Sequence, residues 1–175
     1  NKIYLDIPSV GATINIILAA VKSQGTTIIE NAAKEPEVID VVNLLNSMGA
    51  NIRGAGTGVI KIDGVQYLTK TKHKVIPDRI EAGTYVIFAV ACGSYVKLEN
   101  VIPQHLDALI LKLKEMGAKI KVNDDSIEIF ESDKLMSVRV QTAVYPGFPT
   151  DLQQPLATLL TQAKGISSIR EAIFT

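Results

Sequence analysis

Apolar residues recur at Val38, Val41, Val42, Leu45 and Met48, and again at Leu106, Leu109, Ile110, Leu113 and Met116. The spacing i, i+3, i+4, i+7, i+10 lines one face of an α-helix. It aligns Glu37 to Ala50 with His105 to Ala118, so that Gly49 and Gly117 fall where a helix must turn left-handed. Past each glycine the period changes to two. Asn51-Ile-Arg53 is followed by Val59 to Asp63, and Lys119 to Val122 by Ile127 to Phe130. Each pair of runs flanks turn residues and predicts a β-hairpin.

The repeat extends upstream. An apolar-proline pair precedes a small polar residue at Ile7-Pro8-Ser9, Ile76-Pro77-Asp78 and Phe148-Pro149-Thr150. Each polar residue is a candidate N-cap for the apolar stretch that follows: Ala12 to Val21, Ile80 to Ala91 and Leu152 to Leu160. Gly25, Gly93 and Gly165 end these helices, about seventy residues apart, and open strands at Thr26 to Glu30, Ser94 to Leu98 and Ile166 to Arg170. The unit is β-α-β-α-β-β, in a mixed α/β (α+β) fold. Two copies are expected complete. A third stops at Thr175, before its second helix. With no Met at Asn1, the expectation is a piece of a longer protein whose remainder is its missing partner.

Composition narrows the function classes. Of 175 residues, 47% are hydrophobic, and 18 Lys+Arg balance 18 Asp+Glu. A neutral globular chain lacks the basic excess that nucleic acids or acidic membranes select. No apolar run reaches the ~20 residues of a membrane helix, and no leader is visible. A single cysteine fits a reducing compartment. His73, His105 and Cys92 form no metal pattern, and neither a P-loop nor a dinucleotide glycine fingerprint is present. No cofactor is implied.

Candidate chemistry concentrates at helix starts, where N–H groups and the dipole favour anions. Ser9-Val-Gly-Ala-Thr13 carries a glycine, Gly11, that lets a ligand approach the backbone. Tyr145-Pro-Gly-Phe-Pro-Thr-Asp151 is a stiff turn ending in a carboxylate. That aspartate reads either as a helix cap or as a general base held within reach of a substrate hydroxyl. Glu35 and Glu37 bracket Pro36 in a first helical turn, where acids are favoured anyway. Asp78 and Arg79 open another helix, Arg79 offsetting the Asp78–Glu81 repulsion. Cys92, at the apolar end of its helix, reads as a small buried hydrophobe.

Four segments resemble one family: Leu5-Asp-Ile-Pro-Ser-Val-Gly-Ala-Thr13, Ile29-Glu-Asn-Ala-Ala-Lys-Glu-Pro-Glu37, Ile76-Pro-Asp-Arg-Ile-Glu-Ala-Gly-Thr84 and Tyr145-Pro-Gly-Phe-Pro-Thr-Asp-Leu-Gln153. They look like the UDP-N-acetylglucosamine enolpyruvyl transferases, cytoplasmic bacterial enzymes of peptidoglycan synthesis. The resemblance implies two prism domains of three units each, with the active site in the cleft between them and a chain crossing near Lys74 to Pro77. Residues 1–73 would be one unit of the first prism. Residues 74–137 would be a unit of the other, and 138–175 that domain's truncated next unit.

The substrates implied are phosphoenolpyruvate and UDP-N-acetylglucosamine, whose 3-hydroxyl receives the enolpyruvyl group. By the same resemblance Asp151 is the base, and Ile7, Pro8, Ser9, Val10 and Gly11 face the uridine diphosphate. Ile173 supplies a backbone contact and Phe174 an aromatic one. Glu35, Glu37, Asp78 and Arg79 match charges near the site. Cys92, followed by Gly93-Ser94-Tyr95, departs from the family's reactive-cysteine loop, so that role is not transferred, and this chain alone is expected to be inactive. Two other readings stand beside it: a non-catalytic repeat module, and the aromatic-pathway relative acting on shikimate 3-phosphate.

Overall fold

A computed structural model describes residues 1–174. The chain divides into two compact units, Asn1–Ile76 and Pro77–Thr175.

The first unit runs β1 (Lys2–Tyr4), α1 (Val10–Ala20), β2 (Thr26–Glu30), α2 (Pro36–Ser47), β3 (Asn51–Arg53) and β4 (Val59–Asp63). The sheet order is β1-β2-β4-β3, with β1 and β2 parallel and the others antiparallel. Period-two alternation turns Ile29, Ile60, Ile62 and Ile52 to one face, with Ile29 opposite Ile60 and Ile62 opposite Ile52. Ile17 and Ala20 of α1 and Val38, Val42 and Leu45 of α2 cover that face. Gly49 ends α2 with φ +100°, as the repeat predicts.

The second unit repeats the pattern with α3 (Arg79–Cys92), β5 (Val96–Glu99), α4 (Asp107–Glu115), β6 (Lys119–Val122) and β7 (Ser126–Phe130). Its sheet order, β5-β7-β6, matches β2-β4-β3 of the first. Then come β8 (Arg139–Gln141), α5 (Gln153–Leu160) and β9 (Ser168–Arg170), a parallel β-α-β. Leu109 and Leu113 of α4, and Met116 just past its end, join Ile127 and Ile129 of β7 and Leu156 and Leu159 of α5 in one core.

The second copy departs from expectation. Among the described residues no strand stands between β4 and α3. The chain that would supply it is spent on the first unit. Val65 N–H donates to the Val21 carbonyl, Thr69 N–H to that of Met48, and Leu68 packs on the first core. His73 Nε2 lies 2.9 Å from Asp40 Oδ1 on α2. Val75 is then left 72% exposed.

Candidate active site

In the first unit the candidate residues collect at the carboxyl ends of the parallel strands β1 and β2, where α/β folds place their ligands. Ser9 caps α1, its Oγ accepting from Ala12 N–H at 3.2 Å. Helix geometry leaves the Val10 and Gly11 N–H groups without an intrahelical acceptor. Ile7 is 64% exposed, Ser9 and Gly11 are exposed, and a Cβ on Gly11 would meet nothing within 4 Å. Pro8 and Val10 are half-buried.

The loop after β2 is tied to this helix start. Asn31, at φ 55°, donates from Nδ2 to the Leu5 carbonyl at 2.8 Å. The fully buried Thr13 hydroxyl accepts from Ala33 N–H at 3.1 Å. The same loop delivers Glu35 and Glu37 to the start of α2. Glu35 stands at the N-cap position without making a cap bond, and its Oε2 is buried with no hydrogen-bond partner among the described residues. Glu37 lies half-buried in the first turn, after Pro36.

In the second unit Asp78 caps α3, accepting from Ile80 N–H at 2.7 Å and Glu81 N–H at 3.3 Å. The Arg79 guanidinium lies 5.6 Å from the ring centroid of Tyr145, within cation–π range of the first residue of the turn leading to Asp151. Tyr145–Pro146 is a cis peptide. Asp151 sits in a 3-10 turn, Thr150–Leu152, just before α5. The cap reading of this aspartate fails: neither that turn nor α5 receives a side-chain cap. Its carboxylate is exposed, and no hydrogen bond or ion pair holds it among the described residues. Leu152, next along, is fully buried, with its Cδ1 2.6 Å from where a Cβ on Gly83 would stand. The core thus grips one side of Asp151 while its side chain points to solvent.

Thr150 is not a cap either. Its hydroxyl donates to Glu171 Oε2 at 2.7 Å. Glu171 Oε1 accepts from Thr142 Oγ1 at 2.8 Å, Ile173 N–H at 2.6 Å and Phe174 N–H at 3.2 Å. Burial pushes this carboxyl up. The Ile173 amide, the Thr150 and Thr142 hydroxyls and the Phe174 amide outweigh that and hold it at about 2. No motif in the sequence marks Glu171 or the fully buried Thr142. They follow the last residues of β9 and β8, so they too lie at the carboxyl ends of a parallel pair. Ile173 is half-buried and Phe174 is 73% exposed.

Cys92 is exposed, not buried. The inward face of α3 carries Ala82, Gly83, Val86, Ile87, Ala89 and Val90, and two residues beyond Val90 the helix has turned outward. Cys92 also lies about 14 Å along the axis from Gly83, the part of α3 that meets Leu152. Among the described residues no cluster of His, Cys, Asp and Glu could hold a metal, and no helix is long and apolar enough to cross a membrane.

The sequence profile of the EPSP synthase (3-phosphoshikimate 1-carboxyvinyltransferase) family matches residues 1–175. The chain is 60% identical over 175 residues to UDP-N-acetylglucosamine 1-carboxyvinyltransferase 2 of Bacillus subtilis, covering 99% of this chain and 41% of that protein. It is 59% identical over 173 residues to the protein of the same name from Shouchella clausii, covering 99% and 40%. Among solved structures, the enolpyruvyl transferase NikO of Streptomyces tendae superposes with a TM-score of 0.84 at 28% identity, over 94% of this chain and 40% of that one. An EPSP synthase of Acinetobacter baumannii gives a TM-score of 0.62 at 23% identity, over 97% and 40%, and shows a shared fold. The chain therefore spans about 40% of the length of these relatives.

Proposed function

The chain belongs to the EPSP synthase family, and we propose that the full-length protein transfers an enolpyruvyl group from phosphoenolpyruvate to the 3-hydroxyl of UDP-N-acetylglucosamine, in peptidoglycan synthesis in the bacterial cytoplasm. The observation that carries this reading is identity near 60%, along the whole chain, to proteins named for that sugar nucleotide. Asp151 is the general base. Its carboxylate is exposed, makes no cap, and stands on a turn anchored by Leu152, as a group that must reach a substrate hydroxyl requires. Removing the hydroxyl proton frees the oxygen to bond to the enol carbon while the neighbouring methylene carbon takes up a proton; phosphate then leaves as that carbon gives a proton back, which restores the double bond.

The remaining assignments rest on the same motifs. Ile7, Pro8, Ser9, Val10 and Gly11 contact the uridine diphosphate, with the open backbone at Gly11 suiting an anion at a helix start. The Ile173 backbone and the Phe174 ring contact the nucleotide sugar. Glu35, Glu37, Asp78 and Arg79 supply site charges, and the unpartnered Glu35 oxygen favours a ligand-facing role for that residue. Residues 1–73, 74–137 and 138–175 are read as units of prism domains. The recurrence of one strand order in both sheets supports this.

The test is phosphate release from phosphoenolpyruvate by the full-length protein, offered UDP-N-acetylglucosamine or shikimate 3-phosphate. Release is expected with the sugar nucleotide alone, and Asp151→Asn should lower it by about 10²-fold or more. Release with shikimate 3-phosphate instead would give the aromatic-pathway reading. No release with either from folded protein would leave a non-catalytic module.

A further inference from the structure

The three repeats place one residue immediately after the strand that follows the first helix: Asn31 after β2, Asn100 after β5 and Glu171 after β9. The two asparagines take the same left-handed turn, at φ 55° and 56°. Asn31 uses its amide to hold the Leu5 carbonyl. The fold therefore has a neutral solution for this corner. In the third repeat an acid replaces it, and the corner is wired differently. Four donors converge on one carboxylate: the Thr142 and Thr150 hydroxyls and the Ile173 and Phe174 amides. Thr142 is fully buried and its Oγ1 also accepts from Ala172 N–H at 2.8 Å, so the hub cannot drift. An ionised carboxylate is the side chain that accepts from so many donors at once, and charge-assisted bonds are the stronger kind.

What the hub joins is specific. One arm ends on Thr150, the residue before Asp151, and the other on the backbone of Ile173 and Phe174. Asp151 has no side-chain partner among the described residues, so its direction is set by its backbone. Leu152 fixes that backbone from the core side, and Thr150 is the only other neighbour in the chain. We propose that Glu171 is a positioning residue, which locks the Thr150–Asp151 turn to the Ile173–Phe174 backbone so that base and nucleotide-sugar contacts are held in one register. This rests on the reading of Asp151 as the base. Glu171 touches no reacting atom. It acts by removing the turn's freedom, and a misplacement of about 1 Å costs on the order of 10²-fold in rate.

The test uses the full-length protein with phosphoenolpyruvate and UDP-N-acetylglucosamine. Glu171→Asn installs the residue that the other two repeats carry, so the corner retains a side chain its fold accepts. Thr150→Val keeps the shape of Thr150 but cuts the arm to Asp151. Both should lower kcat per folded enzyme by about ten- to a hundredfold. Glu171→Asn should also raise KM for the sugar nucleotide, because it releases Ile173. KM for phosphoenolpyruvate should stay unchanged in both. A merely structural role would lower the folded fraction and the Tm and leave kcat per folded enzyme intact. That result in either variant, beside an inactive Asp151→Asn, would overturn the proposal. Wild-type turnover in Asp151→Asn would instead overturn the reading it rests on. Should Glu171→Asn fail to fold, Thr150→Val decides by the same kcat criterion.

Discussion

Ser9 and Thr150 occupy the same place in two repeats, after an apolar-proline pair, and do opposite things. The Ser9 hydroxyl accepts from Ala12 N–H, while the Thr150 hydroxyl donates to Glu171. A hydroxyl can do either, and nothing local chooses between them. The consequences differ. Ser9→Ala removes a cap and should cost about 0.5–2 kcal/mol in urea unfolding of the first unit. Thr150→Ala removes no cap, so α5 should keep its amide protection in hydrogen exchange. The partner of Thr150, Glu171, follows β9, 21 residues along the chain, and no local pattern points to it. Asp151 shows the same limit. Its turn, with two prolines and a glycine, was legible as a stiff one bearing a carboxylate. Whether that carboxylate caps or faces outward depended on the 3-10 turn that begins at Thr150.

Helix α3 shows what patterning fixes and what it leaves open. Its limits, its Asp78 cap and its glycine end follow from the sequence, and so do both hairpins and the helices α2 and α4 that precede them. The absent strand before α3 does not. Val75-Ile76-Pro77 carries the apolar signal, but a strand needs a neighbour, and residues 64–73 are already bound to the first unit. Nor does the outward face of Cys92 follow from the sequence: an apolar helix end does not reveal which side the core takes. That core side is defined by Gly83. A Cβ there would stand 2.6 Å from Leu152 Cδ1 and 3.2 Å from Leu106 Cδ2 and Leu109 Cδ2, all buried. Gly83→Ala gains about 1 kcal/mol of helix propensity, but overpacking costs about 1–3 kcal/mol. The expected net is a destabilisation of up to about 2 kcal/mol in denaturant unfolding. Because Leu152 is what gives way, turnover of the full-length protein should fall with it.

At the scale of the whole molecule the charges balance, and stability depends on pH through a few carboxylates held low. Hydrogen bonds from Lys121, then Asn123 and Tyr95, hold Glu128 at about 2, and Glu171 stands at about 2 as well. Asp63, Glu99 and Asp133 are lowered by hydrogen bonds from Thr26, Lys97 and Lys119 respectively. A carboxyl whose folded value is depressed binds fewer protons folded than unfolded. Its contribution is therefore whole above the ordinary glutamate value of 4.5 and is lost as pH falls toward about 2. The Glu128 carboxylate also accepts from Tyr95, raising that phenol above its ordinary 10.0. A raised group works in the opposite sense: its stabilisation is present below pH 10.0 and fades as pH climbs through the raised value. One residue thus shapes both ends of the stability profile. The contribution of these groups to the urea midpoint should be level between these limits and fall on either side. Glu128→Gln should flatten both limbs, while Glu171→Gln flattens the acid limb alone. An alkaline limb unchanged in Glu128→Gln would mean that the Tyr95 hydroxyl does not depend on that carboxylate in solution.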